Sequence, residues 1–150
     1  MMNRPAAALV LDMVNGAVVD VGGGTTGITV IKRRKVSYTA DEPTGGSHMT
    51  LVLSGNYGIS QADAELLKRD HSREREVYPV IRPVVEKMAT ITNKALTDGA
   101  YRKNGPVYVV GGATNFTDFA DTFEKVIGRE VIKPLYPEFV TPLGIALGSV

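Results

Sequence analysis

The residues best suited to chemistry lie near the start of the sequence, around one acid, Asp20. A turn rich in glycine and threonine follows it, made of Gly22, Gly23, Gly24, Thr25 and Thr26. Backbone N–H groups in a glycine turn can approach a polyphosphate closely, because glycine has no Cβ and permits φ > 0. A carboxylate beside such a turn can hold a hydrated Mg²⁺ or orient a water molecule. This spacing therefore predicts half of a nucleotide site.

The sequence on either side of the glycine turn is typical of strands. β-Branched residues continue directly after it, so we predict a hairpin of strands at about 17–21 and 27–32. A third strand is predicted at 35–40. We expect Gly23 and Gly24 to resist substitution, because a Cβ there would meet bound phosphates or force a strained backbone.

Two other interpretations of the glycine pattern stay open. Gly22, Gly24 and Gly27 also fit G-x-G-x-x-G, with Asp41 near the spacing of the ribose-binding acid in a dinucleotide fold. That fingerprint needs a helix to begin inside the glycine run, whereas a strand is predicted here. The turn could also be purely structural, since glycine hairpins are common.

Composition narrows the class of protein. The chain has 150 residues, no cysteine and a formal net charge of +1, with 17 Lys and Arg against 16 Asp and Glu. One domain with a real core is expected, and disulfides and thiolate metal sites are excluded. The charge gives no general attraction to nucleic acid or membranes, and Lys32 to Lys35 indicate a solvated hairpin tip. His48 and His71 lack partners at metal-ligand spacing.

The remaining pattern alternates helices and strands. Predicted helices span 5–13, 47–56, 80–96 and 138–147, with further helices beginning at Ser60 and after Gly111-Gly112; predicted strands span 107–110 and 131–132. Ser60 with Asp63 matches a capping box. Pro83 would fit the first turn of its helix. The helix after Gly111-Gly112 is expected to carry Phe116 on its apolar face and to end at Gly128.

This order of elements resembles one half of the actin, DnaK-type chaperone and sugar-kinase superfamily. Residues 17–30 resemble its second phosphate loop, VYVVGGATNF at 107–116 its adenosine motif, and PAAALVL at 5–11 and PLGIALG at 142–148 its connecting helices. Residues 41–60, followed by AELLKRD at 64–70, closely resemble the EutJ family of ethanolamine-utilisation proteins, which are chaperonin-like members of that superfamily.

The resemblance implies an α/β fold. We expect an RNase H-like half-domain of the actin-like ATPase fold, with three antiparallel strands followed by α/β units in a mixed sheet. Residues 1–150 would form a single domain of the subdomain II type, with a small helical insertion at about 60–100. Only the second half of the family is matched, because nothing in the chain resembles the first phosphate loop.

The resemblance also implies ATP and Mg²⁺ as cofactors and gives roles to residues. Asp20 would be the catalytic acid and would contact Mg²⁺ through water. The phosphates would be surrounded by Gly22, Gly23, Gly24 and Thr25, with Thr26 beside them as a further cofactor-binding residue. The nucleoside would contact Glu65, Lys68, Arg69, Gly111 and Gly112. Without the resemblance, the first three could be an ordinary helix-surface cluster and the two glycines a plain strand-to-helix turn.

The function implied is an ATP-binding, chaperone-like role in ethanolamine utilisation, with ethanolamine ammonia-lyase as the protein client. The location would be cytoplasmic, in association with a bacterial microcompartment. The family's first loop is unmatched, and Arg4 and Gly27 stand where relatives place acids, so we expect weak binding and little or no hydrolysis by this chain alone. The alternative is a non-catalytic interaction or assembly module. The apolar terminal helices favour a homo-oligomer, most simply a dimer; no nucleic-acid or membrane partner is expected.

Overall fold

The structure, a computed structural model, describes residues 14–134. Five strands form one mixed sheet in the order β3-β2-β1-β4-β5. They are β1 (Gly16–Val21), β2 (Thr26–Lys32), β3 (Lys35–Glu42), β4 (Val107–Val110) and β5 (Val131–Ile132). The first three pair antiparallel, whereas β4 lies parallel to β1 and β5 parallel to β4. The expected fold, three antiparallel strands followed by α/β units in a mixed sheet, is confirmed.

Four α-helices accompany the sheet within the described residues. They are α1 (Gly46–Tyr57), α2 (Gln61–Arg69), α3 (Glu74–Asp98) and α4 (Phe119–Ile127), with short 3-10 turns at His71–Arg73 and Gly112–Asn115. The predicted cap of α2 is confirmed, because Ser60 Oγ accepts a hydrogen bond from the N–H of Asp63 at 3.1 Å. The predicted end of α4 is also confirmed, at Gly128 with φ +68°. The predicted helices at 5–13 and 138–147 lie outside the described residues.

The core lies between the sheet and α3 and α4. All six residues of β1 are buried, which fits a strand paired on both sides. The largest fully buried side chains of the described residues include Phe119 and Phe123, whose rings stack at 4.9 Å, and Ile81 and Met88 from α3. Burying each such side chain contributes about 1.5–3 kcal/mol. This packing holds β1 beside β4 in a register that pairs Asp20 with Val110. The carboxyl ends of the two strands therefore lie next to each other.

The start of α3 was predicted too late. The helix begins at Glu74 rather than near residue 80, so Pro83 lies in its interior and not in its first turn, and Pro79 lies there too. Each proline removes one helical N–H donor. Both are exposed and four residues apart, which places the missing hydrogen bonds on the solvent side while Ile81 stays buried on the other.

The prediction of a helix directly after Gly111-Gly112 is also wrong. A 3-10 turn occupies Gly112–Asn115, and Phe116 has an extended backbone before α4 begins. The hydroxyl of Thr114 donates to the carbonyl of Gly111 at 2.7 Å, which closes this turn. The next residue, Thr117, donates through both its N–H and its hydroxyl to the carboxylate of Glu74, at 2.7 Å each. Side chains therefore hold this connection in a non-helical path.

Local geometry requires glycine at Gly111 but not at Gly23 or Gly24. Gly111 has φ +103°, and a Cβ there would lie 2.3 Å from the carbonyl oxygen of Val21. Gly23 and Gly24 lie outside the left-handed region, and a Cβ on either would meet nothing within 4 Å. The expectation that their backbone is strained is therefore wrong.

We predict that Gly111→Ala lowers the free energy of unfolding by about 3 kcal/mol or more, because left-handed strain and a steric clash add. Gly128→Ala is the matched control: its φ is +68° but the space around it is open, so a loss of only about 1 kcal/mol is expected. Urea denaturation of the full chain measures both. Equal losses of unfolding free energy in the two variants would show that the backbone near Val21 relaxes to accept the Cβ without cost.

Candidate functional site

A cleft of about 640 Å³ opens at the carboxyl ends of the strands β1 and β4. Its volume is in the range of sites for small molecules, and crevices at the carboxyl ends of strands are the usual ligand position in α/β sheets. The predicted site residues that line it are Asp20, Gly22, Gly23, Glu65, Lys68, Arg69, Gly111 and Gly112. The structure thus brings the glycine hairpin, α2 and the turn after β4 to one place.

Asp20 forms part of the cleft wall from within the sheet. It pairs with Gly27 of β2 on one side and Val110 of β4 on the other, and only 1% of its surface is exposed. Removing a carboxylate from water is costly, so acids are rare in the interior of a sheet. At this position the carboxylate can act on a molecule in the cleft while bulk water is largely excluded.

The glycine turn presents backbone donors at its exposed tip. Gly22 uses its N–H within the turn, donating to the carbonyl of Thr25 at 2.9 Å. The N–H groups of Gly23 and Gly24 donate to no acceptor within residues 14–134. Two adjacent N–H groups of this kind can receive an anion.

Three of the predicted site residues do not line the cleft. Gly24 and Thr25 lie at the exposed tip of the turn. Thr26 is buried, and its hydroxyl donates to the carbonyl of Thr44 at 2.5 Å. The Thr26 side chain therefore anchors the segment between β3 and α1.

The N-terminus of α1 is bonded to the glycine turn. The N–H of Gly46 donates to the carbonyl of Gly22 at 2.8 Å, and that of Ser47 to the carbonyl of Gly23 at 2.7 Å. A Cβ on Gly45 would lie only 2.5 Å from the Gly22 oxygen. The sequence interpretation missed this contact, although the Gly45-Gly46 pair just before a helix was a signal of close backbone approach.

Glu65 is the centre of a polar cluster between α1 and α2. Lys68 Nζ lies 2.9 Å from its Oε2, and Arg69 Nε donates to its Oε1 at 2.9 Å. Thr50 of α1 donates its hydroxyl to Oε2 at 2.7 Å. Lys68 also donates to the carbonyl of Gly46 at 3.1 Å. The prediction that Glu65, Lys68 and Arg69 lie near one face of a helix is confirmed.

This cluster keeps Glu65 ionised. Partial burial would raise its pKa, but the hydrogen bonds from Lys68, Thr50 and Arg69 outweigh that effect and lower the pKa to about 2. At neutral pH the carboxylate is therefore an acceptor whose two oxygens are oriented by fixed donors. Lys68 also donates to Gly46, the first residue of α1. The Glu65–Lys68 ion pair is therefore bonded to the segment that contacts the glycine turn.

The cleft also contains residues that the sequence interpretation did not assign to the site. A 3-10 turn at His71–Arg73 brings Asp70, His71 and Glu74 to the cleft. Asp70 Oδ1 accepts hydrogen bonds from the N–H of Ser72 at 3.0 Å and from its hydroxyl at 2.6 Å. The Asp-x-Ser spacing was the available sequence signal for this turn.

The histidines have separate positions. His48 accepts a hydrogen bond from the N–H of Gly45 through Nδ1 at 3.1 Å, which caps α1, whereas His71 lines the cleft. Among residues 14–134, no group of three or more His, Cys, Asp or Glu side chains is arranged to hold a metal ion. In the same part of the chain, no helix has the length and apolar character needed to cross a bilayer.

The chain is similar to EutJ proteins. It is 41% identical over 142 residues to the ethanolamine utilization protein EutJ of Escherichia coli (strain K12). The aligned region covers 94% of this chain and 49% of that protein. The crystal structure of EutJ from Carboxydothermus hydrogenoformans superposes with a TM-score of 0.91 and 51% identity, over 96% of this chain and 52% of that one. The expected resemblance to EutJ is confirmed. The chain spans about half the length of the curated relatives it matches.

More distant structures share the fold alone. MreB 5 of Spiroplasma citri bound to AMPPNP superposes with a TM-score of 0.79 at 16% identity, over 95% of this chain and 56% of that one. A family model described as cell division protein FtsA matches residues 17–144, which is most of the sequence and includes every residue placed in the cleft. The chain therefore belongs to the FtsA family.

Proposed function

We propose that the cleft binds ATP with Mg²⁺ and that the chain is part of an ATP-binding, chaperone-like protein of ethanolamine utilisation. The observation that carries the proposal is the meeting, in one cleft, of a buried carboxylate, an anion-receiving glycine turn and an ionised Glu65. The nucleotide is supported further by the shared fold, since the MreB 5 structure contains AMPPNP.

The phosphates would bind at the end of the cleft formed by β1 and the glycine turn. The N–H of Gly23, which lines the cleft, would donate to a phosphate oxygen, and the N–H of Gly24, next to it at the tip of the turn, would donate to a phosphate that extends beyond the cleft lining. Asp20 would contact Mg²⁺ through the water bound to the ion, which is a hard cation that prefers oxygen ligands. The ion would neutralise phosphate charge, and Asp20 would fix its position beside the turn.

The nucleoside would bind between α2 and the turn after β4. Glu65 can accept hydrogen bonds from ribose hydroxyls, because its carboxylate stays charged at neutral pH. Arg69 is paired with Glu65 yet 75% exposed, so its planar guanidinium can lie against a base. Gly111 and Gly112 would let a ligand approach their backbone closely, since neither has a Cβ.

We propose that hydrolysis by this chain alone is slow or absent. Phosphoryl transfer depends on several groups closing around the phosphates. In the described part of the cleft, Lys68 is already held by Glu65, Thr50 and the carbonyl of Gly46. Lys68 is therefore not free to move onto the phosphates, and the proposed phosphate contacts come from Asp20 and the glycine turn, which supports binding more than turnover.

Similarity to E. coli EutJ supports the wider role in ethanolamine utilisation. We also propose that ethanolamine ammonia-lyase is the client and that the protein is cytoplasmic, in association with a microcompartment. The chain would form a homo-oligomer, most simply a dimer. The single-domain organisation stays a prediction. An absence of nucleotide binding would instead favour the alternative, a non-catalytic interaction or assembly module.

We predict that the full chain binds Mg²⁺·ATP and that Asp20→Asn weakens this binding about tenfold or more, or about 1.4 kcal/mol. Binding of adenosine should be unchanged, because the substitution affects the phosphate end. Isothermal titration calorimetry measures the affinity for both ligands, and circular dichroism checks the fold of the variant. Asp121→Asn, an equal charge change on α4 outside the cleft lining, is the control. No binding by the unmodified chain, or equal weakening by both variants, would refute the site.

Ionisation of Glu65 predicts a pH dependence of stability. Its pKa falls from the ordinary 4.5 to about 2 on folding, so its contribution is complete above about pH 4.5 and is lost as pH falls toward 2. The difference in unfolding free energy between the unmodified chain and Glu65→Gln should therefore be constant near neutrality and shrink below pH 4.5. Denaturant titrations across pH measure it, with exposed Glu86→Gln as control. A difference that is flat down to pH 3 would contradict the assignment.

A further inference from the structure

Four consecutive cationic residues form the exposed tip of the β2–β3 hairpin. The basic tip consists of Lys32, Arg33, Arg34 and Lys35, all exposed. Lys32, Arg33 and Lys35 form no ion pair with any other residue between 14 and 134. The charges of these three side chains are therefore available to a partner.

The backbone of the basic tip is unfavourable for the residues it carries. Arg33 and Arg34 have φ of +54° and +63°, in the left-handed region. Two-residue hairpin turns of this shape favour Asn-Gly, because a Cβ is disfavoured there. Two arginines are present instead, which is understandable if their side chains have a use.

The tip is also held in place. The N–H of Arg33 donates to Asn15 Oδ1 at 3.1 Å, and the N–H of Arg34 donates to the carbonyl of Val14 at 2.9 Å. These bonds fix the turn against the segment that precedes β1. The cationic groups therefore extend from an anchored backbone.

Two exposed apolar side chains border the basic tip. Val14 is 45% exposed and contacts the tip through its carbonyl; Val36 follows Lys35 in β3 and is 46% exposed. Both belong to the few large hydrophobic residues exposed in the described part of the chain. The surface thus combines positive charge with a small apolar area.

We propose that the basic tip, with Val14 and Val36, binds an acidic segment of a partner protein that carries an apolar residue among its carboxylates. Charge complementarity identifies the occupant: Arg and Lys pair with carboxylates, and the valines accept an apolar side chain. A nucleic acid fits less well, because nucleic-acid sites use an extended basic patch or stripe, whereas acidic residues outnumber basic ones outside this tip. A membrane surface favours a larger apolar face with aromatic residues.

This surface is separate from the nucleotide cleft. The glycine turn precedes β2 and the basic tip follows it, so the seven residues of the strand hold the two about 20 Å apart. Occupation of one does not block the other. The proposal stands independently of ATP binding.

The test uses fluorescence anisotropy with the full chain and a labelled twelve-residue peptide of Glu and Asp with one central Leu. The test variant is Arg33→Asn with Lys35→Gln, which removes two of the available charges and places Asn, a residue that tolerates φ > 0, in the left-handed turn. We expect peptide affinity to fall about tenfold or more while the unfolding midpoint rises. Lys87→Gln with Lys103→Gln, both exposed sites, is the charge-matched control and should leave binding unchanged. Added salt should weaken binding.

Comparison ligands fix the class of partner. A peptide with Gln and Asn in place of the acids should not bind, and oligothymidylate and phosphatidylserine vesicles should bind more weakly than the acidic peptide. Preference for either of the last two would overturn the proposed partner. Absence of peptide binding, or equal weakening by the control variant, would overturn the site. A lower unfolding midpoint for the tip variant would contradict the argument from backbone strain.

Discussion

The direct bonding of α1 to the glycine turn is the contact on which the rest of the site depends. Two N–H groups at the start of α1 donate to the carbonyls of Gly22 and Gly23. These bonds satisfy helix-end donors that would otherwise need a cap. Because Lys68 also bonds to Gly46, the same contact positions α2 and its Glu65 cluster. One backbone interface thus sets the geometry of both ends of the cleft.

Much of the fold could be predicted because it is encoded locally. The hairpin follows from β-branched runs on either side of a glycine turn, and α2 from Ser60 and its capping pattern. The common face of Glu65 and Lys68 follows from helical spacing alone. Sequence resemblance supplied what spacing could not, namely that residues from β1, α2 and the turn after β4 meet in one cleft.

The errors concern contacts between segments distant in the sequence. The need for glycine at Gly111 arises from the carbonyl of Val21, which lies 90 positions earlier, and at Gly45 from the glycine turn. The path of Phe116 depends on Glu74 holding the next residue. Propensity also misplaced the start of α3, because burial on one side of the helix outweighs two prolines on the other. Local patterns do not identify the distant partner in any of these contacts.

Both edges of the described sheet are built in ways that limit strand-to-strand association between molecules. β3 forms one edge, and its pairing with β2 is interrupted by a bulge after Val30, where Ser37 instead donates its hydroxyl to the Val30 carbonyl. Its first residue is Lys35, a charge at the open edge. β5 forms the other edge and is only two residues long. Bulges, edge lysines and very short strands all discourage intermolecular sheet extension. The described domain therefore resists aggregation through open β-edges even though its central strands are rich in β-branched residues.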